Sequence, residues 1–265
     1  MNIKYGTLFF LFFNTVSYPL YADVILNDIN TDVQFKGTVI NTAPNWKWQV
    51  WPDVYEWGKD WNININEGKN VNGITTFDYK ENKGRRRNNF LQGYTSMPAP
   101  KGSASLKPIV SVNSVNGDVV LNDNAEKQLI TLPAVGYLSH GGTVNGTLSL
   151  IVESAMAVFY KKSNVPNKYF ILLNNTNSGT ISTVARGVLM DNLHDYREIY
   201  TNNGNQTNIW KNSDYDVSRV LTGVDEEDAF DITAGYSSHL SNIKTHWSNI
   251  PKTWTSKITI HVQMQ

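Results

Sequence analysis

The sequence predicts an all-β sandwich, and three patterns carry that prediction. Short runs of β-branched and aromatic residues recur along the chain, turn clusters separate them, and no long stretch keeps a helical period. Among 265 residues there is no cysteine, so no disulfide and no thiolate metal site contributes, and a hydrophobic core alone must hold the fold. A formal net charge of +0 offers no electrostatic footprint for nucleic acid.

The elements follow in chain order. Met1 to Lys4 form a short positive segment, and Gly6–Val16 is an apolar core. Pro19 breaks a helix, and Ala22 is a small residue suited to cleavage, so residues 1–22 read as a secretory signal too short to be a permanent bilayer span. Residues 23–40 then alternate. Ile25, Ile29, Val33, Phe35 and Val39 share one parity, whereas Asp28, Asn30, Asp32, Gln34 and Lys36 occupy the other. Residues 41–265 form the body of the sandwich. Its predicted strands include Ile109–Val115, Thr147–Val152, Ala155–Tyr160 and Tyr169–Leu173, with turns at Asn116-Gly117-Asp118, Gly141-Gly142 and Asn202–Asn205.

Two segments break the strand rhythm. Lys80–Asn89 is a basic, polar loop carrying Arg85-Arg86-Arg87, which reads as a solvated run. Asp191–Asp231 is long, polar and dotted with aromatics; Leu189, Leu193 and Tyr196 give it a loosely helical spacing, so it reads as an insertion holding a short helix. The last strand, Ile258–Met264, presents Ile258, Ile260, Val262 and Met264 on one face against Thr259, His261 and Gln263 on the other. A strand with four apolar teeth at the end of a sheet calls for a partner on its open side.

The order of several short motifs resembles the K-eighty-eight type fimbrial major and minor subunits, a chaperone–usher pilin family. The segments that carry the resemblance are Val33–Ile40 (VQFKGTVI) followed by WKWQV from Trp46, then NFLQGYTSMPAP to Pro100. Ile130–Tyr160, opening ITLPAV and closing AMAVFY, follows, and Thr245-His246-Trp247-Ser248 precedes the final alternating strand. Little matches in Asp191–Asp231, and that poor match favours a minor or ancillary subunit of the family. The resemblance implies an immunoglobulin-like β-sandwich that lacks its last strand and is completed by donor-strand complementation. It also implies assembly with other fimbrial subunits, a periplasmic chaperone, an outer-membrane usher, and export to a surface fimbrium. On this reading Ile29, Val33, Phe35 and Val39 form the donor strand, and Ile258, Ile260, Val262 and Met264 the strand that a chaperone contacts.

Other functional readings compete. Tyr196, Tyr200, Trp210 and Tyr215 lie in the polar insertion and are the candidate contacts for a host glycan or glycoprotein, which would make the subunit an adhesin. Trp46, Trp48, Trp51, Trp57 and Trp61 suit packing better than sugar stacking. Asp225-Glu226-Glu227-Asp228 lacks the spaced ligands of a calcium loop and reads as solvated acids. The five histidines show no metal-ligand spacing, and His140-Gly141-Gly142-Thr143 reads as a hairpin turn. No cofactor, metal or catalytic residue is expected. An exported carbohydrate-active enzyme remains the third reading, because a carboxylate pair assembles only in three dimensions.

Overall fold

The computed structural model describes residues 33–37, 45–59, 61–79, 88–173, 181–192, 209–210 and 216–264; for 33–37, Glu56, Asn88, 165–169 and 209–210 it describes the backbone only. In chain order the strands are β1 (Val33–Gly37), β2 (Trp46–Val50), β3 (Lys69–Val71), β4 (Ile74–Asp78), β5 (Asn88–Thr95), β6 (Pro108–Val112) and β7 (Val119–Val120). They continue with β8 (Asn124–Tyr137), β9 (Thr143–Lys162), β10 (Val165–Leu173), β11 (Ile209–Trp210), β12 (Ala229–Trp247), β13 (Thr253–Ser256) and β14 (Ile258–Met264). Among the described residues three α-helices, α1 (Pro52–Trp57), α2 (Ile181–Asn192) and α3 (Val217–Thr222), are interspersed. The all-β expectation is met.

The strands form two sheets. The smaller has the order β1-β14-β6-β7; the larger, of ten strands, is built around β9 and β12. These two run antiparallel from Ala229↔Lys162 to Trp247↔Gly146, and their flanking strands change halfway. The first part of β9 pairs with β8 and its end with β10, while β12 passes from β5 to β4. Sequence patterning breaks β9 into two strands at Glu153-Ser154, but both residues pair across to β12, with His239 and Ser238, and the chain runs through as one strand of 20 residues.

The core lies where the two sheets meet. Ile130 and Leu132 of β8, Val152 and Val158 of β9, and Tyr236 and Trp247 of β12 join Val110 and Val112 of β6 and Ile260 of β14 in one apolar cluster. On β9 the alternate residues face the other way. Ala157 and Phe159 pack with Ile171, Ala185 and Leu189, so α2 covers the outer face of the large sheet at this end. That double coverage explains the near-continuous apolar run of β9.

Two glycine sites show how tightly the sheet is fitted. A Cβ at Gly93 would stand 2.5 Å from the Trp48 ring, so only glycine lets that indole lie flat on β5. Gly141 and Gly142, with φ of 86° and 84°, turn the chain from β8 into β9; the Leu138 amide donates to the Gly142 carbonyl at 3.1 Å.

The helices meet the sequence reading in part: the insertion does hold a short helix, α2 precedes it, and Leu193 and Tyr196 lie outside the described residues. Ile181, Ala185, Val188 and Leu189 are the buried stripe of α2, spaced i, i+4, i+7 and i+8, and the helix ends at Asn192, where the insertion had been expected to begin. Within the expected insertion lies α3, capped by Asp216, whose side chain accepts from the Ser218 amide, and ended by Gly223 at φ 75°. The segment closes earlier than expected, since β12 starts at Ala229.

Candidate strand-addition edge

The C-terminal strand has one apolar face and two backbone edges. One edge pairs antiparallel with β6, in the register Ile260↔Val112, Val262↔Val110 and Met264↔Pro108. Ile260 is 1% exposed in the core, while Ile258, Val262 and Met264 are half-buried and pack against its rim. A single asparagine fixes where the strand begins. The Asn113 side-chain oxygen accepts from the Thr259 amide, its Nδ2 donates to the Lys257 carbonyl at 3.3 Å, and its own amide donates to the Thr259 carbonyl at 3.0 Å. On the polar face, His261 Nε2 stands 3.9 Å from an Asp118 carboxylate oxygen.

The other edge of β14 takes β1. The pairing is parallel, with Val33↔Ile258, Gln34↔Thr259, Phe35↔Ile260, Lys36↔His261 and Gly37↔Val262. The apolar parity of the N-terminal segment is therefore in register with the inward parity of β14, and a slip by one residue would reverse it. Of the four donor-segment residues expected from sequence, Val33 and Phe35 fall on β1; Ile29 and Val39 lie outside the described residues, as does the segment 1–22.

Of the four expected glycan contacts only Trp210 lies within the described residues. Trp210 belongs to β11, which adds parallel to β10 with Ile171↔Trp210 at the edge of the large sheet. Tyr196, Tyr200 and Tyr215 lie outside the described residues, as does Arg85-Arg86-Arg87. Trp46, Trp48, Trp57 and Trp61, four of the five tryptophans expected to pack, do so. Trp46 and Trp48 stack at 5.1 Å, and the Trp46 Nε1 donates to the Leu106 carbonyl at 3.0 Å. Trp61 meets Trp57, Tyr79 and Trp254 at 4.7, 5.8 and 5.8 Å, and the Trp254 Nε1 donates to the Tyr79 hydroxyl at 2.9 Å. Desolvation raises the Tyr79 phenol above its ordinary value, partly offset by hydrogen bonds from Thr245 and Trp254.

The acidic quartet is not simply solvated. Asp225 accepts two hydrogen bonds from Arg219, both at 2.8 Å, and that pairing holds its carboxyl below the ordinary value. Glu226 is buried and pairs with Lys162, which also lies over the Phe170 ring at 5.2 Å. Spacing along the chain gives no signal for this, because the partners sit on β9 and β10. The outer face of the large sheet holds a second unsignalled arrangement. His246 bridges β4 and β9, with Nδ1 2.9 Å from the Thr76 hydroxyl and Nε2 3.0 Å from that of Ser149. Burial, with a smaller effect of Lys244, lowers its pKa below the ordinary imidazole value.

Among the described residues no helix is long and apolar enough to cross a membrane. No curated protein matches the chain. The family model for fimbrial major and minor subunits matches residues 24–265, nearly the whole chain. The two-sheet all-β architecture accords with that match, and fimbrial subunits as a class are structural rather than enzymatic. The chain therefore belongs to the fimbrial major and minor subunit family, and its place is among the other subunits of a cell-surface fimbria.

Proposed function

We propose that this subunit polymerises by donor-strand exchange and so builds a fibre that supports adhesion to host surfaces. The observation that supports the reading most is the edge of β14 opposite β6, whose backbone groups pair with a strand drawn from the N-terminal segment. In the fibre that strand comes from the next subunit; during export a periplasmic chaperone lends one, and the exchange takes place at an outer-membrane usher. Backbone hydrogen bonds supply the affinity and the alternating side chains supply the register. Burying four donor side chains, Ile29, Val33, Phe35 and Val39, contributes roughly 6–12 kcal/mol before ordering costs are subtracted. Fixing the strand costs about 1–2 kcal/mol per residue, so long life in the fibre rests on slow unfolding more than on equilibrium affinity.

The test is a deletion of residues 23–37 supplied together with intact subunits. A deleted chain keeps the β14 edge but has no strand to donate, so it accepts the next subunit's strand yet cannot add to a subunit already in place, and it can only stand first in a fibre. Fibres carrying a deleted chain at one end at most, and never internally, are expected by electron microscopy with an epitope label. Deleted chains distributed along fibres of normal length would refute exchange.

A further inference from the structure

The strand on the open edge of β14 belongs to the same chain, and its direction is parallel. Five consecutive positions pair, and the aligned residues put Val33 and Phe35 level with Ile258 and Ile260. Parallel pairs use evenly spaced but slanted hydrogen bonds and are slightly weaker per residue than antiparallel ones. Opposite Val262 the segment offers Gly37, which has no side chain to bring, and Val262 and Met264 remain half-buried. Among the described residues the edge is covered over five positions, the last of them a glycine opposite Val262.

We propose that the N-terminal segment closes the acceptor edge of its own subunit whenever neither a chaperone nor a neighbour holds that edge, and that release of this segment limits how fast such a subunit accepts a neighbour's strand. The inference rests on the donor-strand reading above. One segment then has two exclusive uses, as a plug for its own subunit or as the donor for the next. An open edge with Ile258, Ile260, Val262 and Met264 beside it is a template for uncontrolled pairing, and an internal plug suppresses that. The plug must also be weak enough to lose to a longer strand. Its tether gives it an effective concentration of about 1 mM, so an external strand at about 10 μM is held back roughly 100-fold without any permanent block.

The absence of cysteine makes a clean test available. Lys36 and His261 are aligned on the polar parity of β1 and β14, so the double variant Lys36→Cys/His261→Cys is prepared in the full chain and purified as a monomer. Mild oxidation is expected to give a crosslink within one chain, read by peptide mapping. The oxidised monomer should then take up a synthetic peptide of residues 23–40 at least ~10-fold more slowly than the same protein after reduction. In the unsubstituted chain, the uptake rate should level off as peptide concentration rises, because release of the plug comes first. Crosslinks only between chains would overturn the plug while leaving exchange intact. Equal uptake by oxidised and reduced protein would also overturn it. Uptake by neither form, with none by the chain from which residues 23–37 are deleted, would overturn the exchange reading beneath it.

Discussion

The pair β9–β12 and the strand β14 are both alternating apolar strands of one core, yet they are completed in different ways. The long pair is closed on every side. Each strand has antiparallel neighbours along both edges, the core covers one face, and at one end α2 covers the other. By contrast β14 has one antiparallel neighbour, a parallel one described over five positions, and three of its four teeth only half-buried. The difference teaches how unequally the two sheets are closed: the large one by antiparallel neighbours on both edges of its central pair, the small one on one edge of β14 by a parallel strand, which is the edge the proposed exchange would use.

The largest expected effect lies in the closed region. Trp247 is 1% exposed and packs against Trp254 at 6.4 Å, so Trp247→Ala should cost about 3–5 kcal/mol in urea unfolding. The stabilisation gained by adding the peptide of residues 23–40 should be unchanged by it. A Trp247 variant that lost the gain would break the division. Next comes Ile260→Ala, expected to cost about 2–5 kcal/mol because the residue is equally buried. Here the gain from peptide should shrink as well, since tighter strand binding is what raises apparent stability. An unaltered gain would mean that Ile260 serves only the core.

Asn113→Ala sharpens the comparison at the edge itself. Losing the side-chain bonds to the Thr259 amide and the Lys257 carbonyl should cost about 1–3 kcal/mol and loosen the start of β14. Amide exchange should accelerate at Thr259 and Ile260 and stay unchanged along β12. The smallest effect is a pH dependence in the large sheet. The pKa of His246 is lowered in the fold, so the unfolded chain binds more protons in the window below the ordinary value of 6.5. The sign follows directly: this contribution is fully present above 6.5 and is lost as pH falls through the depressed folded value. His246→Gln should therefore flatten that limb of the stability profile by a fraction of a kcal/mol, because the imidazole keeps part of its solvent contact. A steeper limb in the variant would contradict the sign.

Much of the small sheet was legible because its signals are local. Alternation over Ile258–Met264 gave the strand with its bounds, and parity over residues 25–39 indicated a segment built to pair. The Gly-Gly turn after β8 was legible for the same reason. What escaped the sequence depends on contacts between distant strands. The continuity of β9 through Glu153-Ser154 is imposed by β8 and β12 pairing across it, and the α2 stripe reads as helix only beside the sheet face it covers. The burial of Glu226 needed Lys162, sixty-odd residues away in sequence, and no pattern around Asp225–Asp228 announces it. The direction of β1 on β14 was equally invisible, since parity specifies a register but not whether strands run parallel or antiparallel.

The central claim is that the edge of β14 opposite β6, which β1 covers here, is a place for a strand supplied by another molecule. The measurement that tests it most directly is co-purification from the periplasm of the chain with its fimbrial chaperone, compared among the intact protein, an Ile260→Asp variant and a chain lacking Ile258–Gln265. The account predicts a one-to-one complex for the intact chain and none for either alteration. An intact chain that stays monomeric and folded while ignoring the chaperone, or an Ile260→Asp chain that binds it as well as the intact one, would contradict the account.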